Sequence, residues 1–305
     1  MVAKPFPTSR IVTLVALFLT TLLLLPAVSQ AGGPTAAQYG TVLNLSGKQR
    51  MLTQKMSKEV MLVALGVDTD ANLKNLKGTA DLFDKTLKGL RDGSAELKLP
   101  PTESKRILKQ LGKVEKLWKE FNKPVQEIIS SGTVSKDQVA AIAAQNLPLL
   151  KNMNKCVKLY EKDAAKAGLK ADPSLAVTIN LAGKQRMLTQ KMSKEYLMVA
   201  YGHETENNKL NLLETYSLFE RTLKGLQDGD STLDLPGTKN QEIRGQLGVV
   251  QGLWDDFKPV VAEGADPKTT SFSADKLKKL ANTNLPLLKN MNKAVGMFAK
   301  EAAGK

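Results

Sequence analysis

A stretch of thirteen residues, Gly47-Lys-Gln-Arg-Met-Leu-Thr-Gln-Lys-Met-Ser-Lys-Glu59, recurs without a change as Gly183 to Glu195. The offset is 136 residues, and at that offset Phe83 matches Phe219, Asp92-Gly93 matches Asp228-Gly229, Leu99-Pro100 matches Leu235-Pro236 and Trp118 matches Trp254. Further on, Asn146-Leu-Pro-Leu-Leu-Lys-Asn-Met-Asn-Lys155 recurs as Asn284 to Lys293, at an offset of 138. A period of this size marks a duplicated domain, since a solenoid unit spans roughly 20–50 residues. Whatever one copy folds into, the other must fold into as well.

Each copy reads as four helices. In the first copy, Leu73, Leu76, Ala80, Phe83, Leu87 and Leu90 alternate at steps of three and four and end at Asp92-Gly93. A third helix puts Ile107, Leu111, Val114, Trp118, Phe121, Val125 and Ile128 on one stripe; a fourth does so with Val139, Ile142, Asn146, Leu149, Met153, Cys156 and Tyr160. Such stripes need a bundle seam to cover them, and short connections favour antiparallel neighbours. The expected fold is all-α: two tandem antiparallel four-helix bundles. Pro124 and Pro148 interrupt helical patterns that continue beyond them, which predicts kinks and not ends. Asp172-Pro173-Ser174 is the expected seam between copies, with Ser174 capping the next helix.

The chain opens on a targeting pattern. Lys4 and Arg10 form a basic start, Ile11 to Leu25 is an apolar run of fifteen residues, and Ser29-Gln30-Ala31 supplies small residues for cleavage. A spanning helix needs roughly 20 apolar residues, so a cleaved export signal is the first reading and an uncleaved membrane anchor the lesser one. With no Cys near that point, a lipid anchor is excluded. The expected organisation is thus an export signal over residues 1–31, a first copy over 32–171 and a second over 172–305. The product is expected to be periplasmic or secreted.

Composition narrows the chemistry. The 305 residues include one His (His203), one Cys (Cys156) and 5% aromatics. One imidazole and one thiol cannot build a zinc site, an iron–sulfur cluster or a disulfide framework, and the acidic residues form no paired constellation for glycosidase chemistry. An enzyme is therefore not expected, nor a metal or cofactor. There are 44 Lys+Arg against 30 Asp+Glu; removing Lys4 and Arg10 leaves 42 against 30, a net charge of +12. The partner should be anionic, but export argues against nucleic acid.

The repeated first helix carries the sharpest signal. At 100° per residue one face collects Leu45, Gln49, Leu52, Met56, Val60 and Val63. The opposite face collects Leu43, Gly47, Arg50, Gln54, Ser57 and Met61, with Ile179, Gly183, Arg186, Gln190, Ser193 and Leu197 as its counterpart. An exposed basic stripe explains Arg50, Lys55 and Lys58, but not the apolar ends or a mid-helix glycine that costs about 1 kcal/mol relative to Ala. Two such faces suit a helix packed on its own bundle and on its twin from the other copy. About a pseudo-twofold axis, Arg50 would then approach Arg186, with Gly47 and Gly183 permitting close contact. Two guanidiniums repel unless an anion lies between them, and their planar forks suit an oxyanion.

Asn44-Leu-Ser-Gly-Lys-Gln-Arg-Met-Leu-Thr-Gln-Lys55, with its Gly-x-x-Arg-Met core, resembles the opening of the type IV pili methyl-accepting chemotaxis transducer N-terminal domain (PilJ-like). That domain is in turn similar to the periplasmic sensor bundle of the nitrate/nitrite sensor kinases NarX and NarQ. The resemblance covers both copies and implies a four-helix sensor bundle in which the arginines of two subunits hold nitrate across a dimer axis. The positions matching that arginine are Arg50 and Arg186, so a covalent tandem would imitate a homodimer within one chain. Gln54 and Gln190 are candidate flanking donors, and Gly47 and Gly183 candidate spacers. The implied ligand is a small anion such as nitrate or nitrite, and the implied role is signalling or chemotaxis. With no second spanning segment before Lys305, the chain is expected to hand its state to a membrane receptor or kinase, scavenge its ligand, or serve a structural role. The alternative is a basic extracytoplasmic interaction protein that binds a pilus, a receptor ectodomain or an acidic polymer. Pairing of the copies within one chain, or between two chains of a homodimer, stays open at this point.

Other residues carry plainer expectations. Cys156 lies on a core stripe and is replaced by Ala294 in the second copy, which suits a buried structural thiol. His203 is expected at the surface of a turn, and Trp118 and Trp254 in the core. Asn146 and Asn284, two residues before Pro148 and Pro286, are expected to bond carbonyls freed by the kinks.

Overall fold

The first described helix starts where the sequence supplies a cap. The Thr35 hydroxyl accepts from the Gln38 backbone N–H while the Gln38 side chain accepts from the Thr35 N–H, a reciprocal capping box that satisfies two donors otherwise orphaned. The computed structural model describes residues 1–2, 34–166 and 173–302; the expected export segment and its cleavage point lie outside them. Eight α-helices form among the described residues: α1 (Ala36–Ala64), α2 (Thr69–Asp92), α3 (Lys105–Ser131), α4 (Lys136–Lys166), α5 (Pro173–Tyr201), α6 (Thr205–Asp228), α7 (Gln241–Ala265) and α8 (Ala274–Ala302). They form no extended strand; only the isolated bridges Ser94 to Leu99 and Asp230 to Leu235 tighten the loops after α2 and α6. None of these helices is long and apolar enough to cross a membrane.

Helices α1, α2, α3 and α4 close a ring of neighbours, and α5, α6, α7 and α8 close its twin. The most extensive contact joins the rings, between α1 and α5, flanked by α1 against α8 and α4 against α5. From Pro34 onward the chain is one compact unit, so the copies pair within one chain. Both faces of α1 are accordingly buried: Leu52, Met56 and Val60 on one, Leu43, Arg50 and Met61 on the other. Leu45, expected in the core, is only half-buried beside a groove between α1 and α8.

The striped residues form the core as their spacing predicts, with Trp118 tilted on Phe83 at 4.3 Å between ring centroids and Trp254 on Phe219 at 4.6 Å. Cys156 is fully buried, and burial pushes its thiol up to about 12, which leaves it an inert packing group at neutral pH. The copies fill one core position differently. Where the first has Val60 and Ile128, both buried, the second has Tyr196 against Gly264, and a Cβ on Gly264 would lie 2.2 Å from the tyrosine ring. A large residue in one helix is matched by deletion of a side chain in the other, as close packing requires.

Two local expectations need correction. Helix α5 begins at Pro173, a favoured first helical residue because its missing N–H would be unpaired there anyway; Ser174 therefore lies inside the helix. His203 lies in the α5–α6 turn as expected, partly exposed. Helices α4 and α8 do run through Pro148 and Pro286, but Asn146 and Asn284 do not serve their own freed carbonyls. Asn146 Nδ2 donates to Thr53 O at 3.2 Å and Ser57 Oγ at 2.7 Å on α1, and Asn284 Nδ2 donates to Thr189 O at 2.8 Å on α5. Both asparagines face the neighbouring helix from the buried side of their own, where an unbonded amide would be costly.

Candidate functional site

At the crossing of α1 and α5, Gly47 and Gly183 lie beside two arginine side chains. A Cβ on Gly47 would stand 3.4 Å from a terminal nitrogen of Arg50 and 3.6 Å from one of Arg186; on Gly183 the same distances are 3.6 and 3.5 Å. Both guanidiniums thus lie within ordinary contact of the two glycines, close enough to touch an added Cβ without excluding it. Each is only 1% exposed.

Their hydrogen bonds are reciprocal. Arg50 donates through Nη1 to Asn154 Oδ1 at 2.8 Å and through Nη2 to the Asn180 carbonyl at 3.1 Å. Arg186 donates to Asn292 Oδ1 at 2.8 Å and to the Asn44 carbonyl at 3.0 Å. Each arginine therefore takes one acceptor from the fourth helix of its own copy and one from the first helix of the other. All four acceptors are neutral, and neither arginine forms an ion pair among the described residues. Both Nε–H groups are buried without a partner. A guanidinium carries five N–H donors, so each has donors to spare.

Electrostatics sharpens the picture. Burial draws Arg50 down to about 10, partly offset by the nearby Glu161 carboxylate. Arg186 falls further, to about 9, because burial is joined by repulsion from Arg50. Lys48 and Lys184 are also lowered, first by burial and next by the arginine of the opposite copy. Four cations around one crossing form a positive centre that an anion would relieve.

Two related grooves approach it from the surface. One, of about 480 Å³, runs between α4 and α5 and is lined by Lys158, Glu161, Lys162 and Asn180. The other, of about 640 Å³, runs between α8 and α1 and is lined by Asn44, Thr41, Ala299 and Lys300. The asparagines at their walls are those whose carbonyls the arginines bind. Glu161, which accepts from Asn180 Nδ2 at 2.7 Å, has Ala299 as its counterpart, so only one groove carries a carboxylate at this position.

Gln54 and Gln190 lie one turn beyond the arginines. Their Nε2 atoms donate to Asn146 Oδ1 at 2.9 Å and Asn284 Oδ1 at 2.8 Å, while their Oε1 atoms are buried without a partner. The nearest role of these amides is to orient the two asparagines. Asn154 and Asn292 were not singled out from the sequence, although both lie within the exactly repeated Asn-Leu-Pro-Leu-Leu-Lys-Asn-Met-Asn-Lys segment, where a retained polar side chain was the available signal.

Known proteins share this arrangement of sequence. The pattern of the PilJ family, described as the type IV pili methyl-accepting chemotaxis transducer N-terminal domain, matches residues 36–145 and again residues 170–280. Protein PilJ of Pseudomonas aeruginosa is 24% identical over 217 residues, covering 69% of this chain and 30% of that protein. Methyl-accepting chemotaxis protein McpN of the same organism is 28% identical over 125 residues, covering 41% of this chain and 22% of that protein. The chain thus spans less than a third of the length of either relative.

Proposed function

Because the chain belongs, in both of its repeats, to the family of type IV pili methyl-accepting chemotaxis transducer N-terminal domains, we propose that it is an extracytoplasmic sensor that binds a small oxyanion of the nitrate or nitrite kind between α1 and α5. The family is one of sensory domains and not of enzymes. The observation that carries the ligand reading is the pair of buried guanidiniums with neutral acceptors only and with both Nε–H donors unpartnered. Bringing two like charges together in a low-dielectric interior is costly, and one trigonal anion between them would offset the repulsion while giving acceptors to both forks.

Such binding couples naturally to geometry. Each arginine already grips a carbonyl of the opposite copy's first helix, so an anion competing for those donors changes how α1 and α5 are held together. A ligand that favours one arrangement of the crossing shifts the population toward it. A membrane receptor or kinase contacting both copies would read that change, and the basic start and apolar run of residues 4–25 support its taking place outside the cytoplasm.

Calorimetric titration with nitrate, nitrite and other small oxyanions tests this on the wild type and on Arg50→Ala and Arg186→Ala. Saturable binding lost in both variants is the expected result. Unchanged binding in both removes the site. If no small anion binds, the basic interaction protein becomes the better reading, with steep salt dependence toward an acidic polymer as its sign.

A further inference from the structure

About 12 Å along α5 from Arg186, at 1.5 Å per residue, lies a second feature that the crossing does not use. A cavity of about 180 Å³ between α4, α5 and the start of α6 is lined by Lys191, Lys194, Glu195, His203, Glu204 and the Asn211 side chain, among others. We propose that this cavity is a binding site for a small α-amino acid, its carboxylate held by Lys194 and its ammonium by Glu195.

The first support is an ammonium without an acceptor. In the other copy the counterpart Lys58 donates to Asn284 Oδ1 at 3.0 Å, a bond between copies. The residue equivalent to Asn284 is Asn146, whose Oδ1 accepts from Gln54 just as Asn284 Oδ1 accepts from Gln190, but it receives no bond from Lys194, which makes no hydrogen bond or ion pair among the described residues. The side chain is half-buried at the cavity wall; burial lowers its affinity for a proton, and the neighbouring Glu195 carboxylate partly offsets this.

The second support is a carboxylate oxygen without a donor. Glu195 is buried and its Oε1 is paired with Lys191, while its Oε2 has no partner. A donor brought in by a ligand would satisfy it.

The lining as a whole selects the ligand class. Lys191 and Lys194 balance Glu195 and Glu204, so a bare anion meets two carboxylates and a bare cation two ammoniums. A molecule carrying both charges meets opposite partners at each end. At about 30 Å³ per water, the cavity's volume of about 180 Å³ corresponds to about six waters, room for a small amino acid and not for a large one. The second copy alone places a histidine here, where the first has Val67.

Titration of the whole chain with L-alanine, acetate and methylammonium decides the matter. L-alanine should saturate one site, with acetate and methylammonium each at least tenfold weaker. Lys194→Met should weaken L-alanine at least tenfold, and Lys58→Met should leave it unchanged. No saturation by L-alanine, equal binding of acetate, or equal loss in both lysine variants overturns the proposal. Should Lys194→Met not fold by circular dichroism, Glu204→Gln at the exposed rim serves instead: a several-fold loss supports the site, and unchanged affinity overturns it.

Discussion

The two copies share thirteen consecutive residues in their first helices, yet those residues do not live in the same surroundings. Lys58 finds Asn284 and Lys194 finds no acceptor. Arg50 has Glu161 nearby, while at the same place beside Arg186 stands Ala299. One copy has Val60 and Ile128 where, in the other, Tyr196 fills the space left by Gly264. The contrast teaches that a duplicated helix keeps its secondary structure and its buried faces, but that charge balance and cavity shape are set by the residues around it. Duplication within one chain frees the two halves to diverge, which an exactly symmetric dimer of identical subunits could not do.

The largest effect should come from restoring the first copy's residue in the second. Gly264→Ile drives a side chain into the Tyr196 ring and should cost about 3 kcal/mol in denaturant unfolding. Adding Tyr196→Val to it reproduces the first copy's solution and should recover most of that loss. Additive losses would show that the two positions are not packed against each other.

A second contrast is readable in pH. Burial holds Lys58 down at about 8, with the nearby Lys55 lowering it further and Glu59 opposing. An unfolded lysine titrates near 10.4, so between about pH 8 and 10 the unfolded chain binds more protons and stability rises with pH. The slope from this one group is at most about 1.4 kcal/mol per pH unit. Lys58→Met should flatten the rise over that window, while leaving Asn284 Oδ1 its bond from Gln190. An identical pH profile in the variant would assign the rise to other groups.

The smallest effect concerns the missing carboxylate. Ala299→Glu gives the second groove the acid that the first already has, and a partly exposed carboxylate near an arginine without forming an ion pair contributes about 0–1 kcal/mol. The variant should gain that much stability at low salt and bind a small oxyanion more weakly than the wild type. Tighter anion binding would contradict an excess of positive charge at the Arg186 side.

Much of this molecule is legible in the order of its residues. Repetition announces two copies, heptad-like stripes announce the helices and their buried sides, and a glycine and arginine on the second face of the first helix announce that this face is also packed. Those features are local, because helical periodicity maps sequence spacing directly onto one side of a cylinder. Tertiary structure alone decided the rest. Arg50 and Arg186 reach across to the carbonyls of Asn180 and Asn44, and every residue carries a carbonyl, so no side-chain pattern marks these two as acceptors. Asn146 and Asn284 turned to the neighbouring helix, and not to their own proline kinks, because the amide lies on the buried face where only that helix offers partners. Lys58 gained its acceptor, Asn284, through a contact between distant segments, and the cavity around Lys194 follows from how α4, α5 and α6 meet. Packing between elements far apart in the chain chooses among acceptors that local sequence leaves equivalent.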